Sequence, residues 1–119
     1  QWWPGALTLV LPKHATLPQD LTPYSGLAVR MPDHPVALFL LDQTGPLAVT
    51  SANLSDHENP RDAQGVLAQL DGLVDLVLDG GELLGGQAST IIDCMGSEPK
   101  LLREGPIPFS AILERWYAV

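Results

Sequence analysis

The sequence predicts an α/β fold: a twisted mixed sheet with helices packed on it. Three observations carry that prediction. Apolar runs rich in strand formers alternate with helix-like segments through the middle of the chain, and strand-like runs neighbour one another near its end. The 119 residues make one domain, long enough to bury roughly two-thirds of the unfolded surface. Apolar residues are 45% and charged residues 17% of the chain, which excludes a disordered tail.

The elements follow in order. Ala6–Leu11 (ALTLVL) reads as a strand stopped by Pro12. Residues 13–24 are polar and broken by prolines, so they form a loop. Gly26–Arg30 (GLAVR) is a second strand. Asp33 can cap a helix with Pro35 in its first turn, running to about Asp42. Val36, Phe39 and Leu40 share one face of it, and Leu38 and Leu41 widen the stripe, so cover on more than one side is expected. Gly45-Pro46 breaks the helix, and Leu47–Thr50 (LAVT) is a third strand. Residues 51–59 are a polar loop. Asn59 resembles an N-cap with Pro60 at N1 and Asp62 in the first turn. Val66, Leu67 and Leu70 line that helix, which Asp71-Gly72 ends. Val74–Leu78 (VDLVL) is a strand, and Asp79–Gln87 (DGGELLGGQ) a glycine-rich loop. Ser89–Cys94 (STIIDC) and Lys100–Arg103 (KLLR) are strands joined by a turn around Gly96. Ser110–Tyr117 is a closing helix.

Charge and cysteine content narrow the function. The net charge is −8, from 6 basic and 14 acidic residues. Broad nucleic-acid binding needs many Lys and Arg facing phosphates, which six scattered basic residues do not provide. Any polyanion bound must be small and met by a few placed groups. No apolar run approaches the roughly 18 residues of a membrane span, and no secretory leader is visible. Cys94 is the single cysteine, so neither a disulfide nor a cysteine zinc site can form within the chain. A soluble, cytoplasmic chain in a reducing compartment is expected.

The best constellation sits at strand ends. Arg30 closes GLAVR. Thr50, Ser51 and Asn53 close LAVT. Ser89 and Thr90 open STIIDC, and Arg103 closes KLLR. On one rim they would offer two guanidiniums, several hydroxyls and an amide, a set suited to phosphate and carboxylate groups. Ser, Thr and Asn also fill turns and caps, and pattern alone weighs toward that reading. GGELLGG (Gly80–Gly86) lacks both P-loop and dinucleotide spacing, so a plain loop outweighs a phosphate cradle. His14, His34 and His57 lie in turn-like segments without metal spacing. No catalytic residue and no metal ligand is assigned. Cys94, in an apolar strand, reads as a buried inert thiol. Of Trp2 and Trp3, one is expected in the core and the other free to face a partner.

Six blocks occur in order: Trp3-Pro-Gly-Ala-Leu-Thr-Leu-Val-Leu-Pro12, Val29-Arg-Met-Pro-Asp-His-Pro35, Thr50-Ser-Ala-Asn-Leu-Ser55, Asp79-Gly-Gly81, Ser89-Thr-Ile-Ile-Asp93 and Leu102-Arg-Glu-Gly105. Together they resemble the YrdC-like family, the threonylcarbamoyl-adenylate synthases, over about Trp3 to Ile107. The resemblance implies a twisted α/β sheet with an open cavity. It implies a nucleotidyltransferase that joins L-threonine, bicarbonate and ATP into threonylcarbamoyl-AMP and releases pyrophosphate, with Mg2+ accompanying the ATP. Downstream proteins then modify tRNA with the product, and family members have been regarded as RNA-binding.

By the matching motifs, Arg30 would hold the threonine carboxylate and Ser89 would line the threonine end. Thr50, Ser51, Asn53 and Arg103 would serve the nucleotide. Family members carry a preceding stretch with a Lys-x-Arg motif, so residues 1–119 are expected to be a single YrdC-like domain lacking its N-terminal part. Surface left uncovered would drive self-association. Asp56 stands where glycine often follows Asn-Leu-Ser, Ala6 where proline is common, and Gln87-Ala88 precedes Ser89 atypically. The alternatives are a non-catalytic YrdC-like nucleotide-binding, RNA-binding or interaction domain, and a relative that makes another carbamoyl-adenylate.

Overall fold

The structure is a computed structural model that describes residues 1–83 and 87–118. The chain divides into two compact units, Gln1–Pro46 with Gln87–Val119, and Leu47–Gly86.

The first unit holds a four-stranded sheet. Its strands are β1 (Leu7–Pro12), β2 (Gly26–Val29), β3 (Thr90–Asp93) and β4 (Lys100–Arg103), in the spatial order β2-β1-β3-β4. β1 runs antiparallel to β2 and parallel to β3, and β3 runs antiparallel to β4. The sheet is mixed, as the sequence predicts. Alternation along β1 and β3 sorts side chains onto two faces. Leu7 and Ile92 point to one face and are buried, and helix α3 (Phe109–Tyr117) sets Ile112 against them. Trp2, Leu9, Cys94, Ile107 and Phe109 pack around this core. Trp2 thus takes the core position. Trp3 is 38% exposed and donates its indole N–H to the Leu7 carbonyl at 2.7 Å.

Helix α1 spans Pro35–Thr44. Its cap is His34 rather than Asp33, because Pro35 occupies N1 and pushes the preceding residue to extended backbone (φ −152°, ψ 125°). Gly45 ends it at φ 73°, where a side chain would be disfavoured. The expected cover is absent among the described residues: no residue of α1 is buried and Phe39 is 70% exposed.

In the second unit, helix α2 (Ala63–Leu70) starts later than Asn59-Pro60 suggested. Asp62 is the true cap, since its carboxylate accepts the Gly65 N–H at 2.7 Å. Residues 47–50 and 74–78 are not strands. Both carry strand-forming side chains, but a strand needs a hydrogen-bonded neighbour, and neither has one among the described residues. Val49 is accordingly 84% exposed and Leu76 76%.

Candidate functional site

The site in the first unit follows from register. β1 and β2 pair as far as Leu9 with Val29, and Arg30 follows directly after the end of β2. Thr8 faces Ile91 across the parallel pair, and Ile91 faces Arg103 across a β-bulge that shifts the β3–β4 register. Thr8, Ile91 and Arg103 therefore form one row across three strands. They lie on the face opposite Leu7 and Ile92, and Ser89 alternates onto this same polar face. Three strand spacings of about 4.8 Å put roughly 14 Å between β2 and β4.

Each arginine is anchored from the side. Arg30 Nε donates to the Gly5 carbonyl at 2.8 Å. Gly5 N–H in turn donates to Met31 O at 2.8 Å, so the Trp3-Pro-Gly turn is tied to the end of β2. Arg103 Nε donates to Ser89 O at 2.9 Å, and its Nη2 donates to Ser89 Oγ at 3.1 Å. Among the described residues neither guanidinium is paired with a carboxylate. Ser89 is 5% exposed, and its hydroxyl also meets Thr8 Oγ1 at 2.7 Å. Thr90, fully buried, both donates to Ile107 O (2.8 Å) and accepts from Ile107 N–H (3.1 Å), which fixes the chain leaving β4. The arrangement is a donor-rich, cationic face with an oriented hydroxyl between two forks, suited to oxyanions.

The second unit carries Thr50, Ser51 and Asn53. The first two are exposed. Asn53 donates both amide hydrogens to backbone, at Leu54 O (2.9 Å) and His57 O (3.0 Å), and its buried Oδ1 has no partner among the described residues. The Gln69 side chain closes the same loop through Leu54 N–H and Glu58 O, each at 3.0 Å. Asp56 sits at φ 67°, a left-handed conformation that glycine adopts without strain. Residues 84–86 of the glycine-rich loop lie outside the described residues. At its start Gly81 N–H donates to the Asp79 carboxylate at 2.9 Å.

Of the strand-end set read from sequence, the structure brings Ser89 and Arg103 together, sets Arg30 just after β2 and turns Thr90 to the buried face, while Thr8 is absent from that set. The signal was present: Thr8 is the one hydroxyl in an apolar strand, and alternation turns it away from Leu7 and Leu9.

These features define an α/β protein with a donor-rich, cationic sheet face. The family model for the Sua5/YciO/YrdC domain, described as telomere recombination, matches residues 1–105, and the chain belongs to that family. It is 44% identical over 110 residues to the threonylcarbamoyl-AMP synthase of Bacillus subtilis, covering 90% of this chain and 32% of that protein. With the threonylcarbamoyl-AMP synthase of Shigella boydii it is 41% identical over 107 residues, covering 87% and 54%. The crystal structure of Pyrococcus abyssi Sua5 complexed with L-threonine superposes with a TM-score of 0.88 at 41% identity, covering 95% of this chain and 34% of that one. Escherichia coli YciO gives a TM-score of 0.80 at 31% identity, covering 88% and 52%. The chain thus spans between about a third and about half of these relatives.

Proposed function

We propose that this chain is part of a threonylcarbamoyl-AMP synthase, a nucleotidyltransferase acting on L-threonine, bicarbonate and ATP. The observation that carries the reading is the row of Thr8 and Arg103 with Ser89 beside it, and Arg30 anchored just after β2, in a family whose P. abyssi member is a complex with L-threonine.

Arg30, held at Nε, presents its terminal nitrogens to the threonine carboxylate as a bidentate fork. Ser89 lines the threonine end. Arg103 keeps Nη1 for the nucleotide phosphates. In the second unit, Thr50 and Ser51 carry exposed hydroxyls suited to a nucleotide. Asn53 shapes that loop through its backbone contacts. The threonine amine and bicarbonate condense to a carbamate with loss of water. A carbamate oxygen then attacks the α-phosphorus of ATP, the bond to the β-phosphate oxygen breaks, and pyrophosphate leaves. Such a displacement needs positioning and charge neutralisation rather than a side-chain nucleophile.

Magnesium enters as the counter-ion of ATP. No cluster of three or more His, Cys, Asp or Glu suited to a metal occurs among the described residues.

The product serves tRNA modification by other proteins, in the cytoplasm. The −8 charge argues against a broad RNA-binding face on this segment. Self-association through exposed apolar residues such as Phe39 and Val49 belongs to the same reading, and a monodisperse monomer in light scattering over a range of concentrations overturns that part.

The test is pyrophosphate release by the full-length product of the gene. Release is expected only when ATP, threonine and bicarbonate are all supplied. Either of two results refutes the assignment: threonine-independent release, which favours a relative making another adenylate, or no release from a folded protein, which favours a non-catalytic binding domain.

A further inference from the structure

We infer that Thr8 is a positioning residue for Ser89, and that Thr8 and Arg103 together make the Ser89 hydroxyl a hydrogen-bond donor to an acceptor oxygen of the ligand. This rests on the reading of Ser89 as part of the threonine subsite.

A serine hydroxyl has one hydrogen and two lone pairs. Arg103 Nη2 is a donor only, so at 3.1 Å it occupies one lone pair of Ser89 Oγ. Thr8 Oγ1 lies 2.7 Å from the same oxygen, and either hydroxyl can donate there. If Thr8 donates, both lone pairs of Ser89 are filled and its hydrogen is directed to the ligand. If Ser89 donates, its hydrogen rests on Thr8 until an acceptor arrives, and the two hydroxyls then rotate together.

Either way Thr8 holds the hydroxyl in place and gives it a partner in both states. The adjacent guanidinium polarises the Ser89 O–H bond toward donation. Ser89 is 5% exposed, so these neighbours rather than bulk water set its orientation. An anionic carboxylate or carbamate oxygen suits such a donor. A ligand ammonium, which has no lone pair, does not.

The experiment measures L-threonine and ATP affinity by calorimetry on the full-length gene product and four variants: Thr8→Val, Thr8→Ser, Ser89→Ala and the double variant T8V/S89A. Valine matches threonine in shape and suits a strand, so an unchanged melting transition is expected. Thr8→Val should weaken threonine binding about five- to tenfold, in line with one lost hydrogen bond, with ATP affinity unchanged. Thr8→Ser should restore it. In the Ser89→Ala background, Thr8→Val should have no further effect.

Unchanged threonine affinity in Thr8→Val, an equal loss with and without Ser89, failure of serine to rescue, or an equal loss of ATP affinity overturns the inference. Should the unmodified protein bind no threonine at all, the subsite reading falls first and takes this inference with it. That outcome is seen before any variant is compared.

Discussion

Gly105 and Ser89 meet backbone to backbone: a methyl carbon on Gly105 would lie 2.7 Å from the Ser89 carbonyl carbon and 2.5 Å from Ala88 O. No side chain fits there. The contact explains why arginine and glycine stand two apart in Leu102-Arg-Glu-Gly105. The arginine grips Ser89 with its side chain, and the glycine lets the following backbone close on the same residue.

Gly105→Ala should therefore displace the start of β3. We expect a loss of about 1–3 kcal/mol in stability, the usual cost of overpacking, together with weaker threonine binding. Gly96→Ala is the control, since a methyl there would meet nothing closer than Glu98 O at 3.9 Å. Denaturant titration of the two variants decides it, and equal stabilities would show that the backbone near Ser89 yields easily.

Arg30→Ala removes a guanidinium anchored through Nε to Gly5 O, whose terminal nitrogens we propose for the threonine carboxylate. Hydrogen bonds to charged groups contribute about 1.5–3 kcal/mol each, so threonine affinity should fall at least tenfold while ATP affinity changes little. Calorimetry with each ligand separately checks this. Equal or reversed losses would reassign Arg30 to the nucleotide.

Asp56→Gly should raise stability. A left-handed backbone disfavours any residue with a Cβ, and relief of that strain exceeds the added chain entropy of glycine by up to about 1 kcal/mol. The substitution also removes one negative charge from a chain of net charge −8. A lower denaturation midpoint for the glycine variant would contradict the φ of 67° at this position.

Burial, and secondarily the neighbouring Asp93 carboxylate, push the Cys94 thiol above its ordinary value. The folded chain thus keeps its thiol proton at alkaline pH where the unfolded chain releases it. The resulting stabilisation is complete at neutral pH and is lost as pH rises past the ordinary thiol range toward the raised value. Stability of the wild-type chain should decline across that alkaline window, and Cys94→Ala should lack this part of the decline. Parallel slopes for the two proteins would rule it out.

Local chemistry made much of this fold legible. Lys100–Arg103 is a strand over the residues its pattern predicts, and β1, β2 and β3 agree to within a residue or two at each end, because apolar alternation and flanking prolines are local signals. Leu47–Thr50 and Val74–Leu78 have the same composition yet form no strand, because pairing depends on a neighbour that a segment's own residues do not specify. The caps moved for local reasons only geometry reveals: Pro35 claimed N1, and Asp62 lay three residues from an unsatisfied N–H. In the site, residue types pointed to Arg30, Ser89 and Arg103, whereas the bond from Thr8 to Ser89 joins positions 81 residues apart and depends on strand register.

The irregular pairing between β3 and β4 has a further meaning. Counted back evenly from Asp93↔Lys100 and Ile92↔Leu101, Arg103 would stand opposite Thr90, on the side where Leu7 and Ile112 exclude water. The additional residue in β4 turns it over to Ile91 instead. A single codon's worth of chain therefore decides whether this cation greets an incoming anion or is driven into oil. Insertions and deletions around Leu102 should be far less forgiving than substitutions of Leu102 itself.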